Sequence, residues 1–294
     1  MAAAVDRYVR ASLRATPLLR SVADTRPVQV DKPGSSVSLY VYPDLAVATT
    51  PLNEITDPDF VGLGNPTPVT ITLNEYGAAA ITTARLKGFS FSDIDPNQLD
   101  QIAYNQRNTL DALVREVISA GTNVDYAGAA TSTVTTTSAM TITSDEIRKA
   151  VTNLRSASAQ GRRGELYWCG MHPDVAYDLR RESGDNGWHN THMNAAPDLI
   201  WPAETGVYEG VFVVETARMK VANDGAASAP VYRTIIAGKE ALAEAVAIEP
   251  HVEVGVVPDK LNRFYPLGWY GLLGWSIFRQ GALRRIESGS QILA

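Results

Sequence analysis

The sequence predicts an α+β fold. Two patterns carry that prediction: strand-like alternation, as in Val69, Ile71 and Leu73 against Thr70, Thr72 and Asn74, and two capped helical periods. The third observation is their order, because an extended stretch at 28–88 precedes the two capped helices and strand-like segments close the chain. The 294 residues, 45% hydrophobic, suffice for one large or two modest domains with a sizeable core.

Residues 5–20 read as a short amphipathic helix, with Val5, Tyr8, Val9 and Leu13 on one stripe and Pro17 ending or kinking it. A helix of that length is marginal alone and needs a surface to lie on. From 28 to 88 the pattern is extended, with "SVSLYVY" and "PVTITLN" as strands. Between them "PDLAVATTPLNEITDPDFVGLGNPTP" has five prolines and no helical period. A stretch this long without its own secondary structure is uncommon in a compact domain, so it reads as a projecting hairpin ordered by another molecule.

The clearest element follows. "DIDPNQLDQIAYNQRNTLDALVREVISAG" places Asp95 as N-cap, Pro96 at the first helical position and Gln98 in the capping-box place. Leu99, Ile102, Ala103, Leu110, Leu113, Val114, Val117 and Ile118 mark one face, and Gly121 stops the helix. "TSTVTTTSAMT" (131–141) reads as a polar linker or an exposed strand pair. A second helix, capped by Thr143 with Glu146, runs through Ile147, Ala150, Val151 and Leu154. "LYWC" is a buried strand, and Pro173 opens a short helix behind His172. After a polar loop, "GVFVVETARM", "VYRTIIAG" and "ALAEAVAIEPHVEVGVVP" are strands of a mixed sheet, His251 among them. The glycine- and aromatic-rich end, "NRFYPLGWYGLLGWSIFRQGALRRIES", reads as strands packed closely under a helix. There is no internal repeat.

Net charge is -6, which does not suggest a nucleic-acid coat. Residues 1–30 depart from that balance, with Arg7, Arg10, Arg14, Arg20 and Arg26 against Asp6 and Asp24. Such an arm reads first as solvated and second as a contact for nucleic acid. The single cysteine, Cys169, rules out an intrachain disulfide framework and fits a buried small hydrophobe in a reducing compartment. No signal-peptide core is present, and no apolar run approaches the roughly 18 residues of a membrane helix.

The search for chemistry begins with "FVGLGNPTPVTITLNEYG" (60–77), whose Gly62-Leu63-Gly64 looks like a phosphate loop and echoes peptidyl-tRNA hydrolases. A phosphate loop needs a helix after its glycines. Here Pro66, Pro68 and an alternating strand follow, so a turn of mobile backbone is the better reading. His189 and His192 lie three apart near Asp185 and Asp198, but no third ligand sits at a tight spacing, so a solvated loop is preferred to a metal site. No GxSxG elbow occurs. Asp145 and Glu146 serve a helix N-terminus, and Trp201, Trp269 and Trp275 suit a core or interface better than a sugar or base. No catalytic, cofactor or metal residue is assigned.

The series of elements, an arm, a long hairpin, a long helix, a central α/β region and a glycine-aromatic end, resembles the HK97-type fold of tailed-phage major capsid proteins. "YGAAAITTARLKGFSFSDID", "IWPAETGVYEGVFVVETARM" and "YPLGWYGLLGWSIFRQGALRRIES" look like the N4-gp56-like group. The resemblance covers about 28 to 288 and implies an N-terminal arm at 1–30 and an extended E-loop hairpin at 31–88. It implies a P-domain with the spine helix at 89–142, an A-domain at 143–250 and P-domain terminal strands at 251–294. The implied function is a non-enzymatic major capsid protein, self-assembling as pentamers and hexamers into an icosahedral head shell around double-stranded DNA. Implied partners are further copies of the chain, a scaffolding protein, a portal and a cement protein, with weak non-specific contact to packaged DNA and none to membrane. The implied location is the virion, with assembly in the host cytoplasm. Some relatives cross-link through an E-loop lysine; here lysine stands only at the hairpin base, Lys32 and Lys87, which implies a non-covalent shell. The chain leaves no room for a long cleaved scaffolding segment, so a separate scaffold is expected.

Inter-subunit contacts are expected at Arg7, Arg10 and Arg14 in the arm and at Leu52, Ile55, Phe60 and Leu63 in the hairpin. The alternatives are an encapsulin-like nanocompartment shell, a metal-dependent hydrolase using the 185–198 loop, and a carbohydrate-binding surface protein using its tryptophans.

Overall fold

A computed structural model describes residues 17–27, 34–49, 51–52, 54–55, 57, 60–89, 94–182, 204–254, 261 and 263–292. A 3-10 turn, Leu19–Val22, leads into β1 (Asp24–Pro27). Then come β2 (Ser36–Val41), β3 (Thr67–Thr72), β4 (Asn74–Thr83), a short helix α1 (Ala84–Phe89) and the long helix α2 (Ile94–Ser119). The middle of the chain supplies β5 (Val124–Tyr126), α3 (Ser144–Ser156), β6 (Tyr167–Met171), α4 (Pro173–Arg181), β7 (Glu204–Tyr208), β8 (Val211–Glu215) and β9 (Val221–Ala222). β10 (Val231–Ala237), β11 (Leu242–Val254), β12 (Phe264–Ile277) and β13 (Leu283–Ser288) complete it.

The strands form two large sheets and one hairpin. One sheet has the order β1-β11-β12-β4, with β1 parallel to β11 and the rest antiparallel. The other is mixed, in the order β5-β13-β10-β6-β8-β7, with β9 on β10. β2 and β3 pair only with each other. The α+β class is therefore as expected, and the expected strands at 211, 231 and 242 divide between two sheets. The boundary expected at 250/251 falls inside β11, and β13 hydrogen-bonds to β10 and β5 rather than to β12.

β6 is buried at all five residues because the mixed sheet is covered on both faces. Alternation sends Tyr167, Cys169 and Met171 to the side of α3 and α4, where Ile147, Val151, Leu154, Val175 and Leu179 pack. Trp168 points to the other side, with Phe212, Ile235 and Leu283 against Val114 and Ile118 of α2. Leu19 and Val22 join that second cluster fully buried.

The first described stretch, 17–27, is therefore docked, which corrects the expectation of a solvated basic arm for that part alone. Arg20 donates to Glu244 at 2.7 Å and to Glu249 at 3.0 Å, and Arg26 donates to Glu240 at 2.8 Å. Two of the five arginines are thus neutralised within the molecule, because the apolar Leu19 and Val22 pull this stretch onto acidic strand ends. Arg7, Arg10 and Arg14, with most of the 5–20 helix, lie outside the described residues. Residues 19–22 form a 3-10 turn rather than the end of an α-helix.

Three local expectations also change. α2 begins at Ile94, so Asp95 and Pro96 sit in its first turn instead of at the cap and first position. Ala84–Phe89 is helical, not extended, started by the Thr83 hydroxyl accepting from the Leu86 amide at 3.2 Å. Residues 131–141 are neither a strand pair nor an open linker. Thr133–Thr135 form a capped 3-10 turn, Thr136 is buried, and the Thr133 hydroxyl donates to buried Glu287 at 2.6 Å. A polar stretch packs here because the Thr133 hydroxyl meets a buried carboxylate that needs donors, while the Thr135 and Thr136 hydroxyls donate to the Ser132 carbonyl.

The glycines of β12 serve strand contact rather than helix contact. A Cβ on Gly274 would strike the Thr72 carbonyl, so this glycine admits the base of the β2–β3 hairpin onto the sheet. Trp269 instead meets the helix, its indole N–H donating to Asn105 at 2.9 Å.

Two stability outcomes follow. Asp111→Ala removes a buried carboxylate, 1% exposed, that accepts from the Leu19 amide at 2.5 Å and pairs with Arg218. It should destabilise the monomer by about 3 kcal/mol or more in urea titration, because Arg218 is left without its counter-charge. Gly274→Ala should cost about 1–3 kcal/mol by the same measurement, as the hairpin base is pushed off the sheet.

Candidate assembly surface

The hairpin ladder runs from Ser36 opposite Thr72 to Val41 opposite Thr67 and stops there. Its base is held by Ile71, with Val37 and Leu39, packed on Ala243, Ala245 and Leu272 of the four-stranded sheet. Beyond Val41 the two arms, 42 to 66, contribute no buried residue among those described. They carry a run of large apolar side chains in water, including Tyr42, Leu45, Val47 and Val61. The four expected contact residues belong to it: Leu52 is 77% exposed, Ile55 92%, Phe60 104% and Leu63 81%. An exposed apolar run of this extent exceeds the singly scattered apolar side chains of an ordinary exterior.

The glycines that resembled a phosphate loop lie in this stretch, and β3 rather than a helix follows them. Neither takes the left-handed backbone of a glycine turn. Gly62 faces open space, while a Cβ on Gly64 would come within 2.6 Å of the Pro43 ring. The sequence reading of a mobile turn is thus replaced by a close crossing of the two arms at Pro43 and Gly64.

The chemical candidates dissolve into structure. His172 caps α4, its Nδ1 accepting from the Asp174 amide at 3.3 Å. Burial pushes its pKa down against the opposing pull of Asp174. His251 bridges the Glu249 carbonyl at 2.9 Å and Glu253 at 3.0 Å on β11, and these raise its pKa in that order. Cys169 is fully buried, and burial pushes its thiol up to about 12, far from a thiolate nucleophile at neutral pH. Trp269 is buried, and Trp275 donates to Glu244 at 3.1 Å, so both serve the interior. Glu146 accepts from the Thr143 amide at 2.9 Å as a capping box, and Asp145 pairs with Lys149 at 2.7 Å. Among the described residues no group of three His, Cys, Asp or Glu is disposed to hold a metal. The 185–198 loop, with Asp185, His189, His192 and Asp198, and also Trp201, lies outside them.

Sequence reasoning missed four buried carboxylates. Asp111 is one, and Asp178, which accepts from the Gln291 amide at 3.2 Å, is another. Glu244 accepts from Arg20, Thr25 and Trp275, and Glu287 lies between Arg233 at 3.4 Å and Arg285 at 3.0 Å. Asp111 and Glu244 had a signal in the chain, an acid set in an otherwise apolar run, "TLDALV" and "ALAEAVA", whereas Asp178 in "AYDLRR" and Glu287 in "RRIES" stand beside arginines and had none.

A profile of the family described as phage capsid protein matches residues 90–269, more than half of the chain. The chain belongs to that phage capsid protein family. The capsid protein also resembles solved shells. The capsid of Ralstonia phage GP4 superposes with a TM-score of 0.74 at 14% identity, covering 96% of this chain and 93% of that one. The capsid of cyanophage P-SCSP1u gives 0.70 at 11% identity, covering 96% and 91%. The capsid asymmetric unit of cyanophage Pam1 gives 0.68 at 14%, covering 99% and 98%. No curated protein sequence matches the capsid protein. Its fold is the HK97-type α+β capsid fold, and it is a structural protein of the phage head shell.

The capping role of His172 has a pH signature. Because its folded pKa lies below the unfolded value of 6.5, the unfolded capsid protein takes up that proton first as pH falls. The contribution of His172 to stability should therefore decline as pH drops below about 6.5, opposite in sign to that of His251, whose pKa is raised. His172→Asn, which keeps a capping acceptor, should flatten that part of the melting-temperature profile.

Proposed function

We propose that this capsid protein is the major head protein of a tailed phage, closing as pentamers and hexamers into an icosahedral, non-covalent shell around double-stranded DNA. The observation that carries the reading is the projecting 42–66 segment, an exposed apolar surface without a core of its own on a chain of a capsid family. Ordering such a segment costs about 1–2 kcal/mol per residue in backbone entropy, which many equivalent contacts in a closed symmetric shell offset.

Residues 31–88 are then the E-loop, and Leu52, Ile55, Phe60 and Leu63 are its contacts with a neighbouring copy. α2 is the spine of a P-domain built on the four-stranded sheet, and the mixed sheet with α3 and α4 forms the A-domain. In this division β13 goes with the A-domain sheet, a change from the boundaries suggested by sequence, because its hydrogen bonds run to β10 and β5. Arg7, Arg10 and Arg14 contact neighbouring subunits or the packaged DNA. The wording of residues 76–95, 200–219 and 265–288 resembles the N4-gp56-like group, and this likeness supports reading the protein as one of its members. Separate scaffolding, portal and cement proteins complete the head, which assembles in the host cytoplasm. No enzymatic step is required of this chain.

Electron microscopy of the protein co-produced with its scaffold should show uniform closed particles. Phe60→Ser with Leu63→Ser should leave monomer stability within about 0.5 kcal/mol, since both side chains are exposed, yet lower particle yield sharply. Wild-type protein that stays a compact monomer with its scaffold present would end this reading.

A further inference from the structure

A second surface has the opposite character to the hairpin. The turn after α3 and the turn after β10 enclose an open cleft of about 770 Å³. Arg155, Arg162 and Lys239 line it, with Glu165 as the one carboxylate. Arg162 is already committed, donating to Asp24 at 2.8 Å and to the carbonyls of Val22 and Gly238. Arg155 and Lys239 are exposed, and neither pairs with a carboxylate among the described residues. The cleft thus presents two cations without a carboxylate partner among the described residues, backed by the fully buried strand β6.

The chain supplies one segment of matching character. Residues 42–66 carry Asp44, Glu54, Asp57 and Asp59, and no lysine or arginine occurs between Pro33 and Ala84. Asp44, Glu54 and Asp57 are exposed, among the apolar side chains already described. The hairpin is seated on the four-stranded sheet, whereas the cleft is built on the mixed sheet, and no hairpin residue lines it.

We propose that the acidic hairpin of one copy seats in the Arg155–Lys239 cleft of a neighbouring copy. This rests on the shell reading above. Complementary charge steers the encounter and fixes which residues meet, while Leu52 and Ile55 beside Glu54 keep water from the ion pairs. A phosphate backbone is the poorer occupant, because its affinity comes from several cations in a row and this cleft offers two beside Glu165.

Carbodiimide treatment of assembled shells, followed by peptide mass spectrometry, should join Lys239 to Glu54, Asp57 or Asp59 of another copy, and should not do so in unassembled protein. In parallel, Arg155→Glu with Lys239→Glu should cut shell yield about tenfold, as should Glu54→Lys with Asp57→Lys, and combining all four should restore it to within about twofold. The monomers of all variants should keep wild-type circular dichroism, since every changed side chain is exposed. Normal yield from the cleft reversal overturns the proposal and leaves the shell reading standing. Loss of yield without rescue overturns it too, and if packaged DNA falls in step the occupant is nucleic acid. Wild-type protein that forms no shell overturns the shell reading and this contact with it.

Discussion

The carboxylate of Asp111 holds the two halves of the subunit in one arrangement. It projects from the middle of the long helix, buried, and takes the amide of Leu19 on one oxygen and the guanidinium of Arg218 on the other. Arg218 also donates to the Asn108 carbonyl at 3.1 Å, so the loop after β8 is fixed to the same turn of the helix. A buried charge is tolerated only when its partners are in place, so the interaction selects one docking geometry more than it adds stability. Around it Leu19 and Val22 fill the cluster beneath Trp168, and the strand they lead into reaches Glu244 through Thr25 and Glu240 through Arg26. The first described residues thus tie helix, mixed sheet and four-stranded sheet together.

Against that fixed centre the hairpin is a deliberate contrast. Its ladder ends at Val41 and Thr67 because nothing beyond them is packed beneath, and proline at 43, 51 and 66 removes backbone donors from any longer ladder. The same composition that prevents an internal core leaves apolar and acidic side chains together in water. Such a surface is costly in an isolated subunit and useful only when a second surface of matching chemistry is near.

Much of this was legible in the chain. The 3.6-residue period of α2, the capping box of Thr143 and Glu146, the Pro173 helix start and the alternation of β3 are local patterns, and the structure keeps each to within a residue or so. The N-terminal docking was not legible, because it depends on Arg20 meeting Glu244 across 224 positions of sequence. The packing of 131–141 was hidden for the same reason: Thr133 looks solvated until Glu287 is seen beside it. Gly64 misled in another way, since a glycine that clears a proline ring looks, in sequence, like one that makes a turn. The exposed hairpin residues could be named from the chain because a long proline-broken stretch has few other uses.

The four-stranded sheet has unlike edges. β1 on one margin is four residues long and ends in Pro27, whereas β4 on the other runs for ten, and no strand lies beyond either among the described residues. A short edge closed by proline offers few backbone groups to another strand, while a long edge offers a row of them. Strand addition through this sheet is therefore favoured at the β4 margin alone, and a sheet extended from one side only does not propagate as fibrils do.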